Sequence, residues 1–206
     1  MTVSIRSFTK RRPGIVFIVS APSGAGKTTL TRKVLSIYPE MSLSVSCTTR
    51  TPRDGETPGK DYDFVSEAVF KRMLAAGDFA EWAEVHGKLY GTPRRMLERR
   101  LRGGGDVLLD IDVQGARQIR RHYTSAVSIF VLPPSLDELR RRLAGRGTDA
   151  RKTIDQRWNN ARHEIQEIQG YDYFIINRDV DEAVKQLAAV IAAERLKVCR
   201  YTQKPR

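Results

Sequence analysis

No apolar run in this chain approaches the roughly 20 residues that a helical membrane span needs, so no transmembrane segment and no membrane partner are expected. Residues 1–12 are basic but lack the apolar stretch of a secretory signal; they read as a loose N-terminal arm. Cysteine is scarce: Cys47 and Cys199 stand without metal spacing or pairing pattern. Reduced thiols and a cytoplasmic location are the expectation. His86, His122 and His163 are scattered, with no HxxxH spacing, which argues against a histidine metal site. Internal repeats, low-complexity tracts and a coiled-coil heptad are also missing, and oligomeric state stays open.

What is present suffices for one core. The chain has 206 residues, 40% of them hydrophobic and 29% charged, about one domain's worth. Acidic residues are in deficit: 24 against 36 Lys and Arg, for a formal net charge of +12. Such a surplus suits a polyanionic ligand. Nucleotides and nucleic acid both fit, so charge alone does not choose.

Residues 14–20 (GIVFIVS) form a short apolar run, as expected of a strand buried on both faces of a parallel sheet. A glycine-rich turn follows, then helical spacing over residues 28–37. Further strands are expected at 107–111, 126–132 and 174–176. Each precedes a helical pattern, at 113–123, 135–144 and 180–198. Strands alternating with helices argue for an α/β fold with a parallel sheet flanked by helices. Two segments interrupt that rhythm. Residues 41–102 carry shorter alternating runs and polar turns, and read as an inserted subdomain. Residues 145–169, rich in Arg, read as a mobile cover with flexible points at Gly145 and Gly147. The core is left as 13–40, 103–144 and 170–199.

Ala21-Pro22-Ser23-Gly24-Ala25-Gly26-Lys27-Thr28-Thr29 follows the first strand and opens a helix, the context a P-loop requires. Gly24 and Gly26 let successive N–H groups turn inward, and the helix N-terminus adds to the anion site. Lys27 is placed for the β- and γ-phosphates. The Thr28 hydroxyl is placed for Mg²⁺, together with phosphates and waters. Ala21 stands where the pattern has its first glycine. A P-loop implies a nucleoside triphosphate and leaves the acceptor unnamed.

The acceptor is suggested by Ser44-Val45-Ser46-Cys47-Thr48-Thr49-Arg50-Thr51-Pro52-Arg53, Gly55-Glu56, Gly59-Lys60-Asp61-Tyr62-Asp63-Phe64-Val65, Phe79-Ala80-Glu81-Trp82-Ala83 and Tyr90-Gly91-Thr92. Leu109-Asp110-Ile111-Asp112-Val113-Gln114-Gly115, Pro133-Pro134-Ser135, Arg142-Leu143-Ala144-Gly145-Arg146-Gly147-Thr148 and Ile176-Asn177 continue the pattern. Together these resemble guanylate kinases over roughly residues 13 to 195. The resemblance implies a P-loop core with a GMP-binding subdomain and a lid, and transfer from ATP to GMP and dGMP with Mg²⁺. It implies that Arg50, Arg53, Tyr62 and Tyr90 hold the GMP phosphate and that Ser46, Glu81 and Thr92 contact guanine. Asp110 and Asp112 lie near GMP and the metal. Arg142, Arg146 and Arg157 close on the ATP phosphates, and Asn177 sits on the adenine side.

The chemistry agrees. A carboxylate such as Glu81 can accept from both N1–H and the exocyclic amine of guanine, whereas AMP would leave it partly unpaired. Ser46 and Thr92 can donate to O6 and N7. Arginine forks match phosphate oxygens in pairs. Singly, each residue has a duller reading: solvated arginines, half-buried tyrosines, strand-end aspartates. Three rivals remain. One is a non-catalytic interaction module of the same fold, which typically loses the nucleotide-binding residues present here. Another is a nucleic-acid binder, disfavoured because the aromatics fall in core-like runs. The last is a kinase for AMP or another small acceptor.

Overall fold

Residues 15–19 carry no polar side chain, and the chain buries them on both faces of a sheet. The computed structural model describes residues 12–85, 87–144 and 151–202, with the side chains of 151–156 and 202 outside that description. Strand β1 (Val16–Ser20) leads through the glycine turn into α1 (Lys27–Ile37), which returns to β2 (Ser42–Leu43). A second sheet follows, with β3 (Ser46–Thr48), β4 (Tyr62–Phe64), helix α2 (Glu67–Ala75) and the hairpin β5 (Phe79–Val85) and β6 (Lys88–Pro93). Helix α3 (Arg94–Arg102) carries the chain back to β7 (Val107–Asp110), α4 (Val113–His122), β8 (Val127–Leu132) and α5 (Leu136–Ala144). Helix α6 (Arg151–Gln166) and a 3-10 turn at Glu167–Gly170 precede β9 (Tyr173–Ile176), α7 (Val180–Arg195) and the short α8 (Cys199–Thr202).

The main sheet runs β2-β7-β1-β8-β9, and all its pairings are parallel, as the strand-helix alternation predicts. Successive side chains of β1 point to opposite faces. Phe17 and Val19 pack with Leu30 and Val34 of α1 and Leu187 and Ile191 of α7. Val16 and Ile18 pack with Leu97 of α3 and Ala116 and Ile119 of α4. The smaller sheet runs β4-β3-β6-β5 and encloses Phe70 stacked on Phe79. Asp112 caps α4 by accepting the Gly115 N–H at 2.9 Å, so a strand-end acid also starts a helix.

Some boundaries differ from expectation. The helix expected over 180–198 ends at Arg195, where the Leu196 N–H turns back to the carbonyls of Ala193 and Glu194. The insertion expected over 41–102 loses both ends to the core. Ser42–Leu43 pair with β7, because those residues are the only partner for that strand's outer edge among the described residues. Leu97 of α3 is buried beside Val16 and Leu109, and the Leu101 carbonyl accepts the Gly14 N–H at 3.0 Å. Apolar periodicity in α3 therefore serves the main core. The arm expected over 1–12 falls outside the described residues except for Arg12, and Gly145 and Gly147 fall outside them altogether.

Asp106, only 4% exposed, ties the chain's two ends to the sheet. Arg12 grips it at 2.6 and 2.8 Å, the Ile15 N–H donates at 2.9 Å and Arg195 Nε at 2.8 Å. Burial works against the charge, but Arg12, the Ile15 N–H and Arg195 more than offset it and hold the carboxyl below its usual range. Replacing Asp106 by Asn should destabilise the fold by about 3 kcal/mol in denaturant titration, because two arginines lose a buried counter-charge. The wild type's contribution is present above about pH 4 and is lost as pH falls through the lowered value; the variant should lack that acid limb. A midpoint unchanged by the substitution would contradict this role.

Candidate active site

β1 ends where its neighbour β7 ends, with Val19 opposite Asp110. The glycine turn therefore opens at the carboxyl edge of the sheet, beside residues 110–112. Gly24 and Gly26 adopt φ of 91° and 92°, a left-handed backbone that glycine supplies without strain. A Cβ at Gly26 would lie 2.4 Å from Asn177 Nδ2, because that amide donates to the Ala25 carbonyl at 2.7 Å. Asn177, expected beside the adenine, thus braces the loop from behind, and its buried Oδ1 has no hydrogen-bond partner among the described residues. The Ala21 methyl that replaces the pattern's glycine packs into the main core.

Lys27 reaches across to β7. Its Nζ lies 2.7 Å from Asp110 Oδ1 and donates to the Ile111 carbonyl at 2.8 Å. Burial disfavours the ammonium, yet Asp110 more than compensates and raises its pKa above the ordinary lysine value. Thr28 and Thr29 are exposed at the head of α1.

The smaller sheet supplies the opposite wall. Glu81 on β5 is 3% exposed, and Thr92 on the paired strand β6 donates to its Oε1 at 2.6 Å. Burial pushes this carboxyl up to about 7, and Asp112 adds to the rise; Thr92 and Lys27 oppose it. Gly115 leaves room for the acid, since a Cβ there would meet Glu81 Oε2 at 2.3 Å. The Thr92 hydroxyl has one proton, committed to Glu81 in a fully buried position. It therefore fixes the acid's orientation, contrary to the expected donation to a base.

Arg50 stacks over Tyr62 at 5.3 Å, donates to the Tyr90 hydroxyl at 3.2 Å and pairs with Glu56 at 2.8 Å. The other Glu56 oxygen takes the Arg53 N–H at 2.8 Å. Glu56 thus organises both arginines, a role the sequence reading did not assign; its position six residues after Arg50 in a polar turn carries no periodic signal.

One cleft of about 280 Å³ gathers most of these groups: Ala21 to Gly24, Gly26 to Thr29, Ser46, Arg53, Tyr62, Glu81, Tyr90, Asp110, Asp112 and Arg157. Arg142 does not line this cleft. Its Nε pairs with Glu138 at 2.7 Å and Nη2 reaches the Asn177 carbonyl at 3.4 Å, so the fork expected on the phosphates is turned to its own helix. Arg146 lies outside the described residues. Glu164 of α6 also lines the cleft, another acid missed by a reading that treated its segment as arginine-rich. The lining holds four carboxylates, Glu81, Asp110, Asp112 and Glu164, against three cations, Lys27, Arg53 and Arg157. The surplus of +12 is therefore not concentrated there. A larger hollow of about 900 Å³ lies on another face, lined by Arg12, Glu40, Arg99, Asp106 and Arg195, and holds none of these groups.

Comparisons with known proteins agree with this geometry. Residues 12–194 match the family model described as guanylate kinase. The chain is 53% identical over 190 residues to a guanylate kinase of Geobacter sulfurreducens, covering 92% of this chain and 94% of that protein. It is 52% identical over 192 residues to one of Novosphingobium aromaticivorans, with coverage of 93% and 87%. A crystal structure of guanylate kinase from Anaplasma phagocytophilum superposes with a TM-score of 0.79 at 38% identity, covering 92% of this chain and 90% of that one.

The bracing of the loop is testable. Gly26→Ala places a side chain at φ 92° and against Asn177. It should lose about 1–3 kcal/mol of stability in denaturant titration. An unchanged unfolding midpoint would show that the loop relaxes freely and is not braced.

Proposed function

The chain belongs to the guanylate kinase family and transfers a phosphoryl group from ATP to GMP, and on that premise we propose how its residues divide the work. The observation that carries the assignment is the buried Glu81, oriented by Thr92 and opening into the same cleft as Lys27 and the glycine loop. Guanine's N1–H and amine donate to this carboxylate, and Ser46 beside it serves an acceptor on the same base. Adenine presents no such donor pair, so AMP would leave the acid unpaired in a dry site.

The GMP phosphate is taken by Arg53, Tyr62 and Tyr90, with Arg50 behind them, already stacked and hydrogen-bonded in place. The subdomain that binds it is the smaller sheet, β3 to β6. The inward N–H groups of the loop and Lys27 receive the β- and γ-phosphates of ATP. Arg157, 9% exposed and lining the cleft, supports the charge of the transferring group; α6 acts as the lid. Asp110 holds Lys27 until phosphate oxygens share its proton donors. The slot reads a base edge and a phosphate, so dGMP is a substrate as well. With two free thiols and ATP as co-substrate, the cytoplasm is the proposed location.

The residues present fit Mg²⁺ carried in with phosphates. The Thr28 hydroxyl makes no hydrogen bond among the described residues, and Asp110 and Asp112 share its cleft. Among those residues no cluster of three or more His, Cys, Asp or Glu forms a cage, which suits an ion that keeps its waters and rides on phosphates. When bound, Mg²⁺ neutralises charge on the phosphate oxygens. The acceptor oxygen belongs to a phosphate that is largely ionised near neutral pH, so no strong general base is required. The chain's contribution is alignment for in-line transfer and stabilisation of charge.

Glu81→Gln should lower kcat/KM for GMP by about 100-fold or more, because one donor pair loses its acceptor charge, and leave ATP binding unchanged. The wild-type carboxyl, at about 7, takes up a proton as pH falls below neutrality, and guanine needs the ionised form. GMP binding should therefore weaken by up to about ten-fold per unit between pH 7 and 5, beyond any change in the Gln variant, which controls for protonation of the phosphate. Equal pH dependence in both proteins would remove Glu81 from base recognition.

A further inference from the structure

The smaller sheet is held to the core helices unevenly. At its β5 edge the hold is broad. Gln118 of α4 takes the Trp82 N–H at 3.2 Å and donates to the Trp82 carbonyl at 2.6 Å, and Gln114 donates to the Glu84 carbonyl at 3.3 Å. Strand β4 forms the opposite edge. There one contact makes the tie: Arg32 Nη2 of α1 donates to Asp61 Oδ1 at 2.6 Å. Among the described residues it is the only hydrogen bond between α1 and residues 46–93. Asp61 sits on a fixed turn. Its other oxygen accepts the Thr57 N–H at 2.9 Å, and its own N–H donates to the Thr57 carbonyl at 3.0 Å. The Thr57 N–H, and with it Arg32, holds the carboxyl below its usual range, so the pair is charged near neutral pH. The next residue is Tyr62, the first of β4, which lines the cleft and carries Arg50 over its ring.

We propose that Arg32 and Asp61 are positioning residues, a clasp that draws the β4 edge of the smaller sheet to α1 and so sets Tyr62 at the place of the acceptor phosphate. The proposal rests on the reading of Tyr62 given above. Neither residue of the pair lines the cleft; both act through the strand that carries the tyrosine. With β5 held along α4, β4 is the edge that moves when GMP enters and GDP leaves. The Arg32 side chain is 64% exposed and that of Asp61 15%. An ion pair so open to water gains little and breaks readily, as a contact remade in each turnover must, whereas a buried pair would lock the edge. Salt screens it, so ionic strength sets how firmly the clasp closes.

The test is a cycle of Arg32→Ala, Asp61→Asn and the double variant, with Arg32→Lys as the conservative control and Tyr62→Phe beside them. Asp61→Asn keeps an acceptor for the Thr57 N–H, so the turn is preserved and only the charge is lost. Each single variant should raise KM for GMP by about three- to five-fold, the scale of an exposed ion pair, and leave kcat and the Kd of ATP within about two-fold. Arg32→Lys keeps the charge and should stay within about two-fold of wild type in KM. The double variant should be no worse than either single one. The ratio of variant to wild-type KM should fall toward one as salt rises from about 20 mM to about 500 mM. Multiplicative losses in the double variant, a ratio that ignores salt, or a Lys variant as weak as the Ala variant would overturn the inference. So would a wild-type KM in both single variants beside a raised KM in Tyr62→Phe. Tyr62→Phe at the wild-type KM would instead overturn the reading of Tyr62 itself.

Discussion

The parallel pairing of β1 with β7 is the constraint on which the rest depends. It sets Val19 opposite Asp110, so the phosphate loop leaves its strand beside the segment holding Asp110 and Asp112. The 2.7 Å pair between Lys27 and Asp110 follows from that register, as does the Ser20 hydroxyl donating to the Ile111 carbonyl at 3.0 Å. Ligands of open parallel sheets sit at the carboxyl ends of the strands, and here that edge is also where α4 begins on its Asp112 cap. A shift of one residue between these strands would turn Asp110 away from the loop and exchange the β1 side chains that pack on α1 and α7 for those that pack on α3 and α4.

The second sheet sets a buried acid, Glu81, in the cleft of the glycine loop. Glu81 is affordable in a buried position because β6 brings the Thr92 hydroxyl to one oxygen and Gly115 of α4 leaves space for the other. The acid's setting therefore comes from three elements, two strands of the smaller sheet and the helix α4. Burial raises its pKa, a shift common among groups at functional sites. Charge in the cleft is balanced locally, acid against base, and the chain's large basic surplus resides on other surfaces such as α3.

The alternation of apolar runs with helical spacing was enough to read the parallel sheet, and the glycine turn was legible because its chemistry is contiguous in the chain. Glu81, Arg53, Tyr62 and Arg157 were found through resemblance, and the fold gathers them from four separate stretches. What the sequence hid was orientation. Thr92 faces its neighbour's acid, Asn177 faces the back of the loop, and Arg142 faces Glu138, although each lies near the site. Residue type cannot show which way a donor points when two partners lie within reach. Glu56 was obscure for a related reason: it joins the Arg50 side chain, six residues back, to the Arg53 backbone N–H within one polar turn, a spacing with no periodic signature.

The central claim is that one continuous cleft takes both nucleotides end to end, with the glycine loop at one side and Glu81 at the other. Calorimetric titration with adenosine and guanosine joined through a five-phosphate bridge tests it most directly. The account predicts one molecule bound per chain, with ATP and GMP both excluded once it is in place. Two molecules bound per chain, or undiminished binding of either nucleotide to the saturated protein, would contradict it.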